Sequence, residues 1–234
     1  HSEILGDDLI SIAIEKSGIH RPGIPFVSVL PFDREVRKVI AKKVGSDGYW
    51  YLPWNHEIRS FEEEFRDQPF PKFEISYCKE AFYLALNSLK VLDSNIVTDD
   101  AQFVAFTSTH WPGRLTVTPQ LMLEEYPSMV MFEGAHNISG MERACSSLLQ
   151  TFQADGSPQD LFFPDVIILG TTQKHKLDEF LQPLVDLLNH QQEPCLILTE
   201  PQSGRYPAVS VSSLHDSLKR LKTDVEIIKS PNPK

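Results

Sequence analysis

Residues 128–152 read SMVMFEGAHNISGMERACSSLLQTF, and their reading decides the fold. Met129–Phe132 is a short apolar run, the pattern of a buried strand. Ile138, Met141, Cys145, Leu148, Leu149 and Phe152 then recur at helical spacing. Between them lie an acid, two small residues, a His and an Asn. A strand that passes at once into an amphipathic helix is the opening of a βαβ unit. Further along the chain the alternation continues. Val166–Leu169 is the next strand. Leu177, Phe180, Leu181, Leu184, Leu187 and Leu188 share a helix face. Cys195–Thr199 is a third strand, Leu214, Leu218 and Leu221 mark a third helix, and Val225–Ile228 is a fourth strand. Strands alternating with helices of this length predict an α/β fold, with a mostly parallel sheet covered on both faces.

Towards the N-terminus the pattern is less regular. Asp7–Ser17 reads as a helix with Ile10, Ala13, Ile14 and Ser17 on one face and acids at its positive end. Pro22 and Pro25 break it. Phe26–Leu30 reads as a strand, Glu35–Val44 as a helix with Val36, Val39, Ile40 and Val44 in one stripe, and Tyr49–Leu52 as a further strand. Residues 53–76 are Pro-rich and acidic, a surface excursion. Lys79–Leu92 is a helix, and a short one follows over Asp99–Thr107. The Pro112-Gly113 turn marks a boundary near Trp111–Pro119, giving two domains, 1–112 and 113–234.

The bulk numbers narrow the class. A chain of 234 residues, 41% hydrophobic and 23% charged, can bury a core as one large domain or two small ones. Its net charge of −10 and pI near 5.2 argue against a nucleic-acid binder, which carries a basic face. No apolar run reaches the roughly 18 residues of a membrane span. Cys78, Cys145 and Cys195 are odd in number and far apart, which fits reduced thiols in a core and an intracellular setting. No leader is visible. The first residue is His, so the chain reads as a fragment.

Ligands of open parallel sheets sit beyond the carboxyl ends of the strands. FEGAHN occupies such a place. Gly134 and Ala135 permit close backbone approach, and His136 and Asn137 stand at a helix start, where free N–H groups favour an anion. The same residues also fit a plain N-cap and a surface His. In WPGR, Arg114 offers a planar, always-charged fork beside a fixed turn, suited to phosphate or simply to solvent. The chain holds no Gly-x-x-x-x-Gly-Lys-Ser/Thr loop, no Gly-x-Ser-x-Gly elbow, no HExxH and no dense metal-ligand cluster.

WPGRL (Trp111–Leu115) followed by FEGAHNISG (Phe132–Gly140) resembles the Mur ligase superfamily. More narrowly it resembles the folylpolyglutamate synthase and dihydrofolate synthase family, whose members carry PGRL and then DGAHN. HSEILGDDLISIAIEKSGIHRPGIP (His1–Pro25) looks like the family segment with His-x-x-x-Leu-Gly, Glu-Lys-x-Gly-Ile and Pro-Gly-x-Pro. GTTQKHKLDEFLQPL (Gly170–Leu184) resembles the stretch that contains Asp-Lys-Asp. The Pro-rich middle is most similar to fungal dihydrofolate synthase-type members.

The resemblance implies the end of a central ATPase domain over 1–112 and a Rossmann-like C-terminal domain over 113–234. It implies a ligase that uses ATP and Mg2+ to join L-glutamate to dihydropteroate or folate through an acyl phosphate. His1 matches a magnesium ligand. Lys16 matches a lysine that becomes carbamylated, which makes it an anionic metal ligand. Arg114 matches an arginine on ATP phosphate, and Glu133 stands where the family has a nucleotide-contacting Asp. His136 and Asn137 match residues near the reaction centre. The P-loop would precede His1, so the fragment alone is expected to be inactive. Two departures stand out. Glu133 adds a methylene to the family Asp, and Glu80 or Ala81 falls where the family has an adenine-contacting Asn. A degenerate, non-catalytic binding protein is the competing reading. A monomer is expected, with no nucleic-acid or membrane partner, in the cytoplasm or alternatively the mitochondrion.

Overall fold

The computed structural model describes residues 8–31, 33–51, 76–93, 98, 101, 104–105, 113–123, 126–153, 164–190, 195–203, 206–221 and 225–231. The chain divides into two compact units: His1–Phe73 with Tyr77–His110, and Trp111–Lys234 with Glu74–Ser76.

In the first unit, α1 (Leu9–Ser17) begins at Asp8, whose carboxylate accepts the Ser11 N–H at 2.8 Å and satisfies one of the helix's open donors. These bonds to Ser11 hold the Asp8 carboxyl below its ordinary pKa. Strand β1 (Phe26–Val29) pairs in parallel with β2 (Gly48–Tyr51). Between them, α2 (Arg34–Val44) is capped by Asp33 and ends at Gly45, whose φ of 56° suits glycine. Ala13, Ile40 and Val44 form a small core with Phe26, Val36 and Trp50 packed against it. The face expected on α1 is only half buried: Ala13 and Ser17 are inside, while Ile10 and Ile14 are exposed. Helix α3 (Ser76–Leu92) buries Tyr83 and Leu86, with Val29 of β1 beside them. Most of residues 53–76 and of the helix expected over Asp99–Thr107 lie outside the described residues.

The second unit opens with an antiparallel hairpin. Strand β3 (Thr116–Leu123) pairs with β4 (Tyr126–Phe132), and the register shifts between Thr118 and Leu121. Pro119 falls in that shift and has no N–H to give the ladder. The apolar run Met129–Phe132 predicts only the end of β4, as a member of the parallel sheet. The partner strand was missed because Pro119 interrupts its pattern. Helix α4 (Ile138–Gln153) follows. Then β5 (Val166–Leu169), α5 (Leu177–Leu188), β6 (Cys195–Thr199), α6 (Val211–Arg220) and β7 (Glu226–Ser230) build a parallel sheet of order β5-β6-β7.

The expectation of a sheet covered on both faces is met on one face among the described residues. When successive parallel strands are neighbours, right-handed crossovers put their helices on the same side. One core gathers Met141 and Cys145 of α4, Phe180, Leu181 and Leu188 of α5, Leu196 and Leu198 of β6, and Leu214 and Leu218 of α6. The opposite face carries the row Ile168, Ile197 and Ile228, of which Ile168 is 68% exposed. Among the described residues the layer is therefore one-sided. Asp178 joins its two helices: both carboxylate oxygens accept from Arg220, and one also accepts the Ser217 hydroxyl. Arg220 and Ser217 hold the Asp178 carboxyl down at about 2.

Candidate functional site: the corner between β4 and α4

Chain leaving β4 crosses five residues before α4 begins. Asn137 is the N-cap. Its side-chain oxygen accepts the Gly140 N–H at 2.7 Å, and its backbone carbonyl accepts from Met141 at 3.1 Å. The plain capping role is thus realised, and the carboxamide oxygen is committed to it. His136 is exposed, with Nδ1 3.2 Å from the Gly134 carbonyl. A carbonyl only accepts, so Nδ1 donates in that bond and Nε2 holds the lone pair of the neutral ring.

The turn that carries Arg114 is bonded to the same corner. The Gly134 N–H donates to the Gly113 carbonyl at 2.7 Å, and the Leu115 N–H donates to Glu133 Oε2 at 2.9 Å. Arg114 Nη1 lies 3.6 Å from Glu133 Oε1. The close approach favours glycine at 134, because a Cβ there would stand 3.1 Å from the Gly113 oxygen and push it back by a few tenths of an ångström. Gly113 has φ of 73° and Leu115 has φ of 43°. A left-handed leucine costs roughly 1–2 kcal/mol. It persists here because the Leu115 side chain is buried and its N–H is tied to Glu133. Arg114 and Glu133 therefore face each other, and His136 and Asn137 follow on the same five-residue segment, at a helix start whose dipole favours an anion.

Lys16 belongs to the other unit, exposed on the last turn of α1, and His1 lies outside the described residues. Among the described residues no group of three or more His, Cys, Asp or Glu side chains could hold a metal ion. The described donors thus do not by themselves form a magnesium site. Cys145 is a core thiol, as its place in the helix pattern implied. Burial, then the nearby Glu133 and Asp186 charges, push it up to about 12. It is inert as a nucleophile at neutral pH. An open groove of about 460 Å³ runs between α4 and α5, lined by Ile138, Leu149, Pro183 and the acids Glu142, Glu179 and Asp186.

Two polar features were not legible as sites. Lys174, in the stretch after β5, donates to the Thr172 carbonyl and hydroxyl at 2.9 and 3.2 Å, and its ammonium sits 5.3 Å from the Phe180 ring centre. Burial lowers its pKa. In the first unit His20 Nε2 lies 3.0 Å from Asp47, which also accepts the Gly23 N–H at 2.9 Å. Asp47 is held below its ordinary pKa by the Gly23 N–H first and by His20 second. Residues 27 apart give no local signal of such a pair.

No protein-family model matches the chain. A curated folylpolyglutamate synthase from Lacticaseibacillus casei is 24% identical over 172 residues, 65% of this chain and 38% of that protein. The crystal structure of folylpolyglutamate synthase from Thermotoga maritima superimposes with a TM-score of 0.56 at 20% identity, over 95% of this chain and 51% of that one. A point mutant of the L. casei enzyme superimposes with a TM-score of 0.54 at 17% identity, over 99% of this chain and 56% of that one. The chain thus spans 38% of the curated relative and about half of each solved structure. No described helix is long and apolar enough to cross a membrane. With the α/β layer and the Arg114–Asn137 corner in view, this chain has the fold of about half of a folylpolyglutamate synthase and resembles that enzyme in sequence.

Proposed function

We propose that the protein is an ATP-dependent ligase of folate metabolism, of the folylpolyglutamate synthase or dihydrofolate synthase type. It joins L-glutamate to a dihydropteroate or folate carboxylate through an acyl phosphate. One observation carries this reading: two motifs some twenty residues apart converge, so that Arg114 stands against Glu133, at the head of the short segment that leads into α4. A guanidinium fork next to a helix start is a site for phosphate oxygens. In this reading Arg114 binds nucleotide phosphate and neutralises charge as it develops. His136 and the amide nitrogen of Asn137 line the same edge and orient the reacting groups. ATP and Mg2+ are the cofactors, and the metal would supply charge neutralisation at the phosphates. Lys16, as its carbamate, and His1 are the residues the resemblance assigns to it. Residues 1–112 then close the central ATPase domain and 113–234 form the C-terminal domain.

The test is ADP release by the full-length protein with Mg2+, ATP, L-glutamate and either dihydropteroate or tetrahydrofolate. Release that needs glutamate and one acceptor supports the ligase and names its branch. Arg114→Ala should then lower kcat/KM by about 10²-fold or more, with an unchanged melting temperature. A second reading, a ligase-like protein that binds without turnover, is favoured by Glu133 and by the absence of an Asn at 80 or 81. No ADP release from folded protein, with retained nucleotide binding, would move the weight to it.

A further inference from the structure

The resemblance implies that the acid at 133 contacts the nucleotide. The geometry points to another role: we infer that Glu133 is a positioning residue that latches the Gly113–Leu115 turn and so aims Arg114. This rests on the phosphate-side reading of Arg114 given above.

Three observations carry it. First, both carboxylate oxygens face the turn. Oε2 accepts the Leu115 N–H at 2.9 Å, and Oε1 faces Arg114 Nη1 at 3.6 Å. Second, the turn needs holding. Two of its three residues have positive φ, 73° at Gly113 and 43° at Leu115. A backbone of that kind persists only where its surroundings over-determine it. The holding bonds come from consecutive residues, Glu133 to Leu115 and Gly134 to Gly113, so Arg114 is fixed on both sides. Third, the length of the side chain suits the task. An aspartate carboxylate would sit one C–C bond, about 1.5 Å, further back. From there it would miss the Leu115 N–H unless the backbone moved. The extra methylene of Glu133 is what this latch uses.

The same contacts orient charge. One edge of the guanidinium faces Glu133, while the Arg114 side chain remains 40% exposed. At 3.6 Å this is an ion pair and not a hydrogen bond, so the direction of Arg114 is set chiefly by the turn that Glu133 holds through Leu115. Glu133 thus acts through Arg114 and does not touch the nucleotide.

The experiment uses the full-length protein with Glu133→Ala, Glu133→Gln, Arg114→Ala and the Glu133→Ala/Arg114→Ala double variant. ADP release is measured with ATP, 2′-deoxyATP and 3′-deoxyATP, and exchange of the Leu115 amide hydrogen is followed in parallel. A latch raises KM for all three nucleotides by a common factor, about tenfold in Glu133→Ala and less in Glu133→Gln, which keeps an oxygen for Leu115. In the Arg114→Ala background Glu133→Ala adds less than about twofold, because the two act as one unit. Leu115 exchange speeds up at least about tenfold in Glu133→Ala. A merely structural residue would change melting but would not couple to Arg114. Selective loss of the preference for ATP over the deoxy nucleotides means a direct sugar contact and overturns the latch. Additive effects on Arg114→Ala, or unchanged Leu115 exchange, overturn it as well. Should Glu133→Ala fail to fold, the common KM factor and the coupling are read from Glu133→Gln. If the wild type releases no ADP with any nucleotide, the ligase reading fails, and Leu115 exchange alone decides the latch.

Discussion

The α5–α6 layer and the β4–α4 corner lie in the same unit and are held by different forces. In the layer, Leu181, Leu188, Leu196, Leu198, Leu214 and Leu218 are fully buried. Their energy is apolar area removed from water, which is non-directional and large in sum. In the corner, Asn137, Glu133 and the Gly113–Leu115 turn are held by directed hydrogen bonds of 2.7 to 2.9 Å, and His136 is exposed. Such bonds contribute little net stability, about 1 kcal/mol each, but fix direction. The difference teaches that folding and chemistry in this unit rest on separable residues. Damage to the layer should cost stability, and damage to the corner should cost aim.

Leu181→Ala gives the largest expected effect, a destabilisation of about 2–5 kcal/mol seen as a lower denaturant midpoint with an unchanged slope. Nucleotide KM of the protein that stays folded should not change. A shifted KM would break the separation of layer from corner. Gly113→Ala comes next. Nothing closer than the Gly134 nitrogen at 3.9 Å would meet the added methyl, so no clash arises. The cost is conformational, about 1–2 kcal/mol for a residue at positive φ, and Gly113→Asn should recover part of it. Unlike Leu181→Ala, it should also raise KM for ATP, because the turn carries Arg114. Asn137→Ala removes the cap of α4 and should cost about 1 kcal/mol, measured by thermal melting.

The smallest effect belongs to the exposed Asp178–Arg220 pair at the edge of the layer. The Arg220 guanidinium and the Ser217 hydroxyl hold the folded carboxyl at about 2, below the ordinary carboxylate range. A depressed folded pKa means stability that is present above the unfolded value and lost as pH falls through the folded one. Melting of the wild type should therefore exceed that of Asp178→Asn above pH of about 4 and converge with it near pH of about 2, by less than about 1 kcal/mol because solvent screens the pair. A gap that persists unchanged at low pH would mean that Asp178 contributes packing instead of charge.

The parts that were legible share a cause. Val166–Leu169 and Cys195–Thr199 have the bounds their apolar runs predict, and the stripe predicted on α5 is buried except for the half-buried Leu177, with Val185 added to it. Each is a continuous apolar run or a helical stripe, and such patterns are local. The N-cap at Asn137 and the turn at Gly113 were also visible, because capping and turn chemistry act within a few residues. Strand β3 was not, since its pairing partner and its bulge, not its composition, make it a strand. That the described helices of the sheet share one face was not, because this depends on strand order and the hand of crossovers.

The sequence by itself determined the α/β class, the order of the C-terminal strands and helices, and the residue types of the corner. Apolar periodicity, caps and breakers are written within a turn or two of chain. Tertiary structure alone decided that Arg114 and Glu133, nineteen positions apart, face each other, and that Leu115 is held left-handed by the same acid. A hairpin brings them together, and only a closed hairpin can choose which donor a carboxylate meets.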